Sequence, residues 1–179
     1  MTEAEETGAP RSGREPVRIT LRPALLTDFE LIRAWLRRPE VADWWGPPES
    51  TEAEVRIALQ SPSALCRIVE WDATPIGYAH AIDAAIWGAD LPQDLEPGTW
   101  ELDVVIADPA RRGQGVGMEA LCLLRQEVFA STLATAVCVF VSIRHEAVVR
   151  AFERAGFVWQ QIWNNGALGP SWFMIARRP

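Results

Sequence analysis

The stretch Asp103-Val-Val-Ile-Ala-Asp-Pro-Ala-Arg-Arg-Gly-Gln-Gly-Val-Gly117 holds the residue types best suited to chemistry. Glycines at 113, 115 and 117 follow an apolar run and precede a helix-forming one. Glycine lets the backbone bring several N–H groups onto one anion. A helix N-terminus adds partial positive charge there. Arg111 and Arg112 supply full charges, so Arg111 to Gly117, with Gln114 and Val116 between the glycines, reads as a pyrophosphate cradle. The spacing narrows the ligand. A P-loop needs GxxxxGK[ST], and this chain has no lysine. A dinucleotide fingerprint needs GxGxxG behind the first strand. Here the glycines are GxGxG and stand behind the fourth.

The elements that must hold this loop can be read from pattern. Val17–Arg22 alternates as a first strand. Thr27 and Glu30 form a capping box for a helix that runs to Arg38 and that Pro39 ends. Asp43–Pro48 reads as a rigid aromatic loop. Thr51 and Glu54 make a second capping box for a helix to Gln60. Ala64–Trp71 and Pro75–Ala84 are strands joined by a turn at Asp72 and Ala73. Ile86–Gly98 is a loop, Thr99–Ile106 a strand and Val116–Ala130 a helix. Ala136–Ser142 is a strand, and His145–Ala155 a helix that Gly156 stops. Phe157–Trp163 and Ser171–Arg177 form a hairpin around Asn164-Asn165-Gly166, whose Trp159, Trp163, Trp172 and Phe173 suit core or interface. Strands with helices between them indicate an α/β (α+β) fold on one mixed sheet. Residues 1–15 read as a disordered tail and 16–179 as one domain.

Composition closes off other classes. The chain has 179 residues, 49% hydrophobic and 23% charged, which is globular. Its net charge is −7 and all 17 basic residues are arginine, a poor basis for nucleic-acid binding. A polycationic partner fits better. Cys66, Cys122 and Cys138 lack metal spacing and read as buried thiols in a reducing cytoplasm. Two histidines, His80 and His145, make a zinc site a poor expectation, and no metal is expected. No apolar run reaches the roughly 20 residues of a membrane span. The acidic start Met-Thr-Glu-Ala-Glu-Glu is not a secretory signal. The expectation is a soluble, cytoplasmic protein.

Arg112-x-x-Gly115-x-Gly117 is the Q/R-x-x-G-x-G/A pattern of the GNAT acetyltransferases. The chain resembles that family from about Val17 to Arg177. Ala151-Phe-Glu-Arg-Ala-Gly-Phe157 is similar to the family's helix-to-strand segment near the C-terminus. Within it, the chain resembles the aminoglycoside 6'-N-acetyltransferases. Thr20-Leu-Arg22, Asp43-Trp-Trp-Gly46, Pro75-Ile-Gly-Tyr-Ala79, and Glu96-Pro-Gly98 followed by Leu102-Asp103 carry that likeness. Branches that act on siderophore precursors, polyamines or protein amines share parts of it.

The resemblance implies a twisted sheet of about seven strands whose two central parallel strands splay around acetyl-CoA. It implies a backbone N–H near Val104, Val105 or Ile106 that polarises the thioester. Strand alternation puts Trp100, Leu102, Val104 and Ile106 on one face and Glu101, Asp103 and Val105 on the other. Asp103 matches the subfamily's catalytic aspartate, with Glu101 a second base or an ammonium anchor. The rival reading pairs both with arginines. The family's usual tyrosine acid is replaced by Phe152, and its asparagine by His145, which would contact CoA, donate the proton or simply sit solvated at a helix start. Tyr78 and His80 read as structural. Asp83, Asp90, Asp94 and Glu96 are candidate ammonium anchors, and Trp44, Trp45 and Trp87 candidate walls. For the acids the alternative is a solvated loop, and for the Trp44-Trp45 pair a core anchor. The implied activity is direct acetyl transfer from acetyl-CoA to a small polycationic amine, by a monomer or homodimer. A non-catalytic CoA-binding domain is the rival from another class.

Overall fold

The computed structural model describes residues 19–87, 91–92, 95–165 and 169–179, apart from the side chains of 147 and 165. Seven strands form one mixed sheet in the order β1-β2-β3-β4-β5-β7-β6. They are β1 (Ile19–Pro23), β2 (Ala64–Trp71), β3 (Thr74–Asp83), β4 (Thr99–Ile106), β5 (Ala136–Ser142), β6 (Val158–Asn165) and β7 (Gly169–Arg177). Helices α1 (Phe29–Leu36), α2 (Pro39–Trp45) and α3 (Pro48–Ala58) precede β2, and the short α4 (Ala84–Trp87) follows β3. Helix α5 (Val116–Ser131) connects β4 to β5, and α6 (Glu146–Arg154) leads into β6.

Each sheet face has its own apolar layer. Trp100, Leu102, Ala79 and Ala81 pack with Val116, Ala120, Leu121 and Leu124 of α5. Tyr78, Val105, Ile68 and Cys66 pack instead with Phe29, Ile32, Trp35 and Val55 of α1 and α3. The alternation expected for β4 is therefore the one observed. Cys66 and Cys138 are buried and Cys122 partly so, all as free thiols.

The central feature lies between β4 and β5. They are parallel and pair over three positions only, Thr99–Ala136, Trp100–Val137 and Glu101–Cys138. Beyond Glu101 they part, while β4 stays paired with β3 as far as Ile106 and β5 with β7 as far as Ser142. The facing edges of Leu102–Ile106 and Val139–Ser142 thus bound an open slot. Arg178 finishes the return from α5, donating to the carbonyls of Phe129 (2.5 Å), Thr132 (2.8 Å) and Ala134 (2.7 Å).

Local punctuation departs from the sequence reading. Pro39 does not merely end a helix but opens α2 at its first turn, where no N–H is needed. The expected aromatic loop is thus half helix. Thr27 and Glu30 form no capping box. Instead Asp28 closes the turn, accepting from the Leu25 N–H (2.9 Å) and from Arg22. Thr51 lies inside α3, its hydroxyl donating to the carbonyls of Pro47 (2.9 Å) and Trp45 (3.3 Å), so it caps nothing with Glu54. Helix α4 occupies the start of the expected 86–98 loop. Asp72 and Ala73 do form the tight turn, both with left-handed backbone. The tail of residues 1–15, and Gly166 of the last hairpin turn, lie outside the described residues.

Gly77 is the tightest point of the β3–β4 pair. A Cβ there would stand 2.2 Å from the Val105 carbonyl oxygen, a backbone atom. Gly77→Ala is expected to force these strands apart and cost about 2–3 kcal/mol. A urea titration checks it, and an unchanged midpoint would refute it.

Candidate active site

The glycine loop leaves β4 at the open end of the slot. Gly113 (φ +72°) and Gly115 (φ +82°) hold left-handed backbone, and no atom lies within 4 Å of where their Cβ would be. Gly115 is the residue before α5, so the helix N-terminus opens on that clear space. A Cβ on Gly117 would lie 3.6 Å from Ile106 Cγ1 and 4.0 Å from Val104 Cγ1. The first turn of α5 thereby rests directly on the splayed part of β4. Val116 is buried there, whereas Gln114 is exposed and donates to the Ala110 carbonyl (2.6 Å).

The two arginines do other work than the direct anion contact expected of them. Arg112 donates to the carbonyls of Ile106 (2.7 Å) and Ala107 (3.1 Å), and Arg38 donates to the same Ala107 carbonyl (2.7 Å). The guanidinium of Arg111 lies 4.2 Å from the Trp71 ring centroid and 3.8 Å from an Asp108 carboxylate oxygen. Both side chains brace the loop.

Glu101 and Asp103 project from β4 on the face opposite α5, beside Ile82 and His80 in register. Asp103 Oδ1 accepts two hydrogen bonds, from the Trp45 indole N–H (3.0 Å) and the Val104 backbone N–H (2.7 Å). Neither acid pairs with an arginine among the described residues, against the rival expectation. Burial pushes the Asp103 carboxyl up to about 7, its two hydrogen bonds oppose the rise and the Glu54 carboxylate adds to it. Burial also pushes Glu101 up to about 7, helped by Asp103 and Glu54. His80 is lowered to about 4 by burial and stays neutral, with a buried Nδ1 that has no partner among the described residues. Tyr78 is fully buried alongside.

Glu54 belongs to this acidic face, and the sequence reading missed it. Its carboxyl is raised by burial. The signal was partial: Thr51, Val55 and Ala58 form the buried stripe of α3, and position 54 borders that stripe on its exposed side. Arg38 was missed as well, because nothing in sequence tells which carbonyl an arginine will reach.

The remaining candidates separate. Trp44 stacks on His145 with ring centroids 3.9 Å apart and planes 15° apart, so α2 reaches across to the start of α6. Trp87 is half-buried against the α1–α3 layer, its indole N–H without a partner among the described residues. Phe152 is buried edge-to-face on Phe157 (5.1 Å) in the α5 layer. Asp83 falls on the opposite strand face from Asp103 and accepts from the Ala85 N–H (3.0 Å), which fixes the start of α4. Glu96 precedes β4 at the paired end and binds Arg177 (2.9 Å). Asp90 and Asp94 lie outside the described residues. No group of three His, Cys, Asp or Glu able to hold a metal ion occurs among the described residues. No helix there is long and apolar enough to cross a membrane.

Residues 24–164 match the family model of the acetyltransferase (GNAT) domain. The chain belongs to the GNAT acetyltransferase family. Aminoglycoside N(6')-acetyltransferase type 1 of Klebsiella pneumoniae is 26% identical over 169 residues, covering 89% of this chain and 83% of that protein. Lysine N-acyltransferase MbtK of Mycobacterium tuberculosis is 30% identical over 114 residues, or 62% of this chain and 54% of that protein. AAC(6')-Ib in complex with coenzyme A and kanamycin has the same fold, with a TM-score of 0.77 at 24% identity, covering 90% of this chain and 95% of that one.

A carboxyl whose value is raised by folding stabilises the fold at low pH and loses that contribution as pH rises through its folded value. For Glu101 the window runs from its ordinary 4.5 to about 7. Glu101→Gln is therefore expected to raise the melting temperature by about 2–4 °C at pH 8 and by half that or less at pH 5. Thermal scans at both pH values check it, and equal gains would refute it.

Proposed function

We propose that the protein acetylates a primary amine of a small polycation, an aminoglycoside at its 6'-amine in the first instance, with acetyl-CoA as donor and resistance to such antibiotics as the physiological result. The observation that carries the reading is the acidic face at the slot: Glu54, Glu101 and Asp103, with no arginine paired to either strand acid among the described residues. An amine substrate supplies the missing positive charge. The relatives named as aminoglycoside acetyltransferases support the same class.

The loop and slot suit coenzyme A on physical grounds. Gly113 to Gly117 can turn backbone N–H groups toward a pyrophosphate without steric hindrance. The unpaired edges of β4 and β5 can bond the peptide-like arm of the cosubstrate as a strand would be bonded. Bound there, acetyl-CoA supplies an activated acetyl group. Asp103 takes the proton of the incoming ammonium, and only the neutral amine is a nucleophile. The carboxyl's value near 7 suits that exchange, because about half of it is ionised at neutral pH and the ionised form is basic enough to accept. Glu101 and Glu54 hold further ammonium groups. The exposed Trp44 face, stacked on His145, offers a flat wall for a sugar ring. Phe152 carries no proton, so solvent protonates the departing thiolate.

A second reading, acylation of a lysine-like amine, has the MbtK likeness in its favour. CoA release measured with a thiol reagent, corrected for the protein's three cysteines, separates the two. Kanamycin, tobramycin, spermidine and a lysine derivative would be compared. Turnover of the two drugs, lost when a 6'-hydroxyl replaces the amine, is the expected result. Turnover of spermidine or the lysine derivative alone would overturn the aminoglycoside assignment. Asp103→Asn is expected to lower kcat by about 100-fold or more while leaving acetyl-CoA affinity within about threefold. Equal losses in both would remove Asp103 from the role of base.

A further inference from the structure

We propose that Trp45 is the positioning residue of the base: its indole N–H occupies one oxygen of Asp103 and so leaves the other as the oxygen that takes the amine's proton. This rests on the reading of Asp103 as base given above. The geometry is specific to one atom. Oδ1 receives both the Trp45 indole N–H (3.0 Å) and the Val104 N–H (2.7 Å). Oδ2 receives no hydrogen bond among the described residues. Two donors on one oxygen draw its electron density down and hold the carboxylate plane still. Proton acceptance then falls to Oδ2.

The indole is held by what surrounds it. Gly46 turns the chain directly after Trp45 with a positive φ of 93°. The Thr51 hydroxyl bonds the Trp45 carbonyl at 3.3 Å. The ring meets Tyr78 edge-on at 5.8 Å and His80 at 5.4 Å. Trp44, one residue earlier, points elsewhere and stacks on His145. The two tryptophans therefore divide the work, and only Trp45 touches the base.

The groups facing Asp103 are His80 and Tyr78 from β3, Glu101 from its own strand, Glu54 from α3 and Trp45 from α2. None of them is a cation at neutral pH, since His80 is lowered to about 4. The ionised form of Asp103 is thus supported by its two N–H donors and by no opposite charge. Removing one donor makes the carboxylate harder to form.

Trp45→Phe keeps a ring between Tyr78 and His80 and deletes the N–H. The acid limb of kcat/KM is expected to move up by about one pH unit. The rate would then fall about tenfold at pH 6 and less than about threefold at pH 9, with the KM for acetyl-CoA unchanged. A loss that is the same at every pH would mean that the ring only packs, and would overturn the proposal. A second measurement does not depend on any substrate. In the 15N-labelled protein, the indole N–H signal that disappears in Trp45→Phe is expected to move with pH between 5 and 9 and to stop moving in Asp103→Asn. A signal indifferent to pH and unchanged by Asp103→Asn would overturn it. If no amine is turned over, the acetylation reading fails by itself, and the NMR titration still decides whether Trp45 governs Asp103.

Discussion

Parallel pairing between β4 and β5 stops after three positions, and the rest of the molecule is arranged around that stop. A buried backbone edge without partners is expensive. Here two such edges face each other, and each is secured on its far side, β4 by β3 and β5 by β7. The opening is therefore held by a complete sheet rather than by flexible chain. Helix α5 begins against the splayed part of β4, with Gly117 allowing the close approach to Val104 and Ile106. The glycine loop and the slot are consequently one unit, because the turn that opens α5 also stands beside the slot.

The opposite face of β4 carries the cost of function. Two carboxyls on one strand face, a third from α3 and a buried imidazole without a partner are a poor way to stabilise a fold. Burial raises both strand acids toward neutrality, which eases the penalty by letting them bind protons. The same burial suits Asp103 to the role of base proposed for it, since an ordinary surface aspartate would be too weak a base for an ammonium. Stability and proton chemistry are set by the same desolvation.

Much of this was legible in the residues. The bounds of β2, β4 and β5 follow from apolar runs closed by turn residues, and the faces of β4 follow from simple alternation. The glycine spacing, with an apolar run before it and a helix-forming run after it, marks the loop. What escaped was whatever depends on two distant segments meeting. Arg112 looked like an anion ligand because charge is visible in sequence, whereas the carbonyls of Ile106 and Ala107 that claim it are not. Glu96 and Asp83 looked like substrate anchors until Arg177 and the Ala85 N–H took their carboxylates. Glu54 was read as a cap because Thr51 stands three residues before it, though the helix had already begun at Pro48. Local signals over-read caps and under-read what the flank of a short helix will face.

The arginine clamps share one further property. Arg38 and Arg112 meet on the Ala107 carbonyl, Arg112 also spans to that of Ile106, and Arg178 gathers three carbonyls at the end of α5. A guanidinium can bridge carbonyls in this way because its donors lie in a fixed plane, and it keeps its proton at any pH the protein meets. The ammonium of a lysine can lose that proton and become a nucleophile. With 17 basic residues and not one lysine, every cationic side chain that braces this acetyl-transferring site is inert to the group being transferred. The scaffold can stand beside an activated acetyl group without its own side-chain cations being consumed by it.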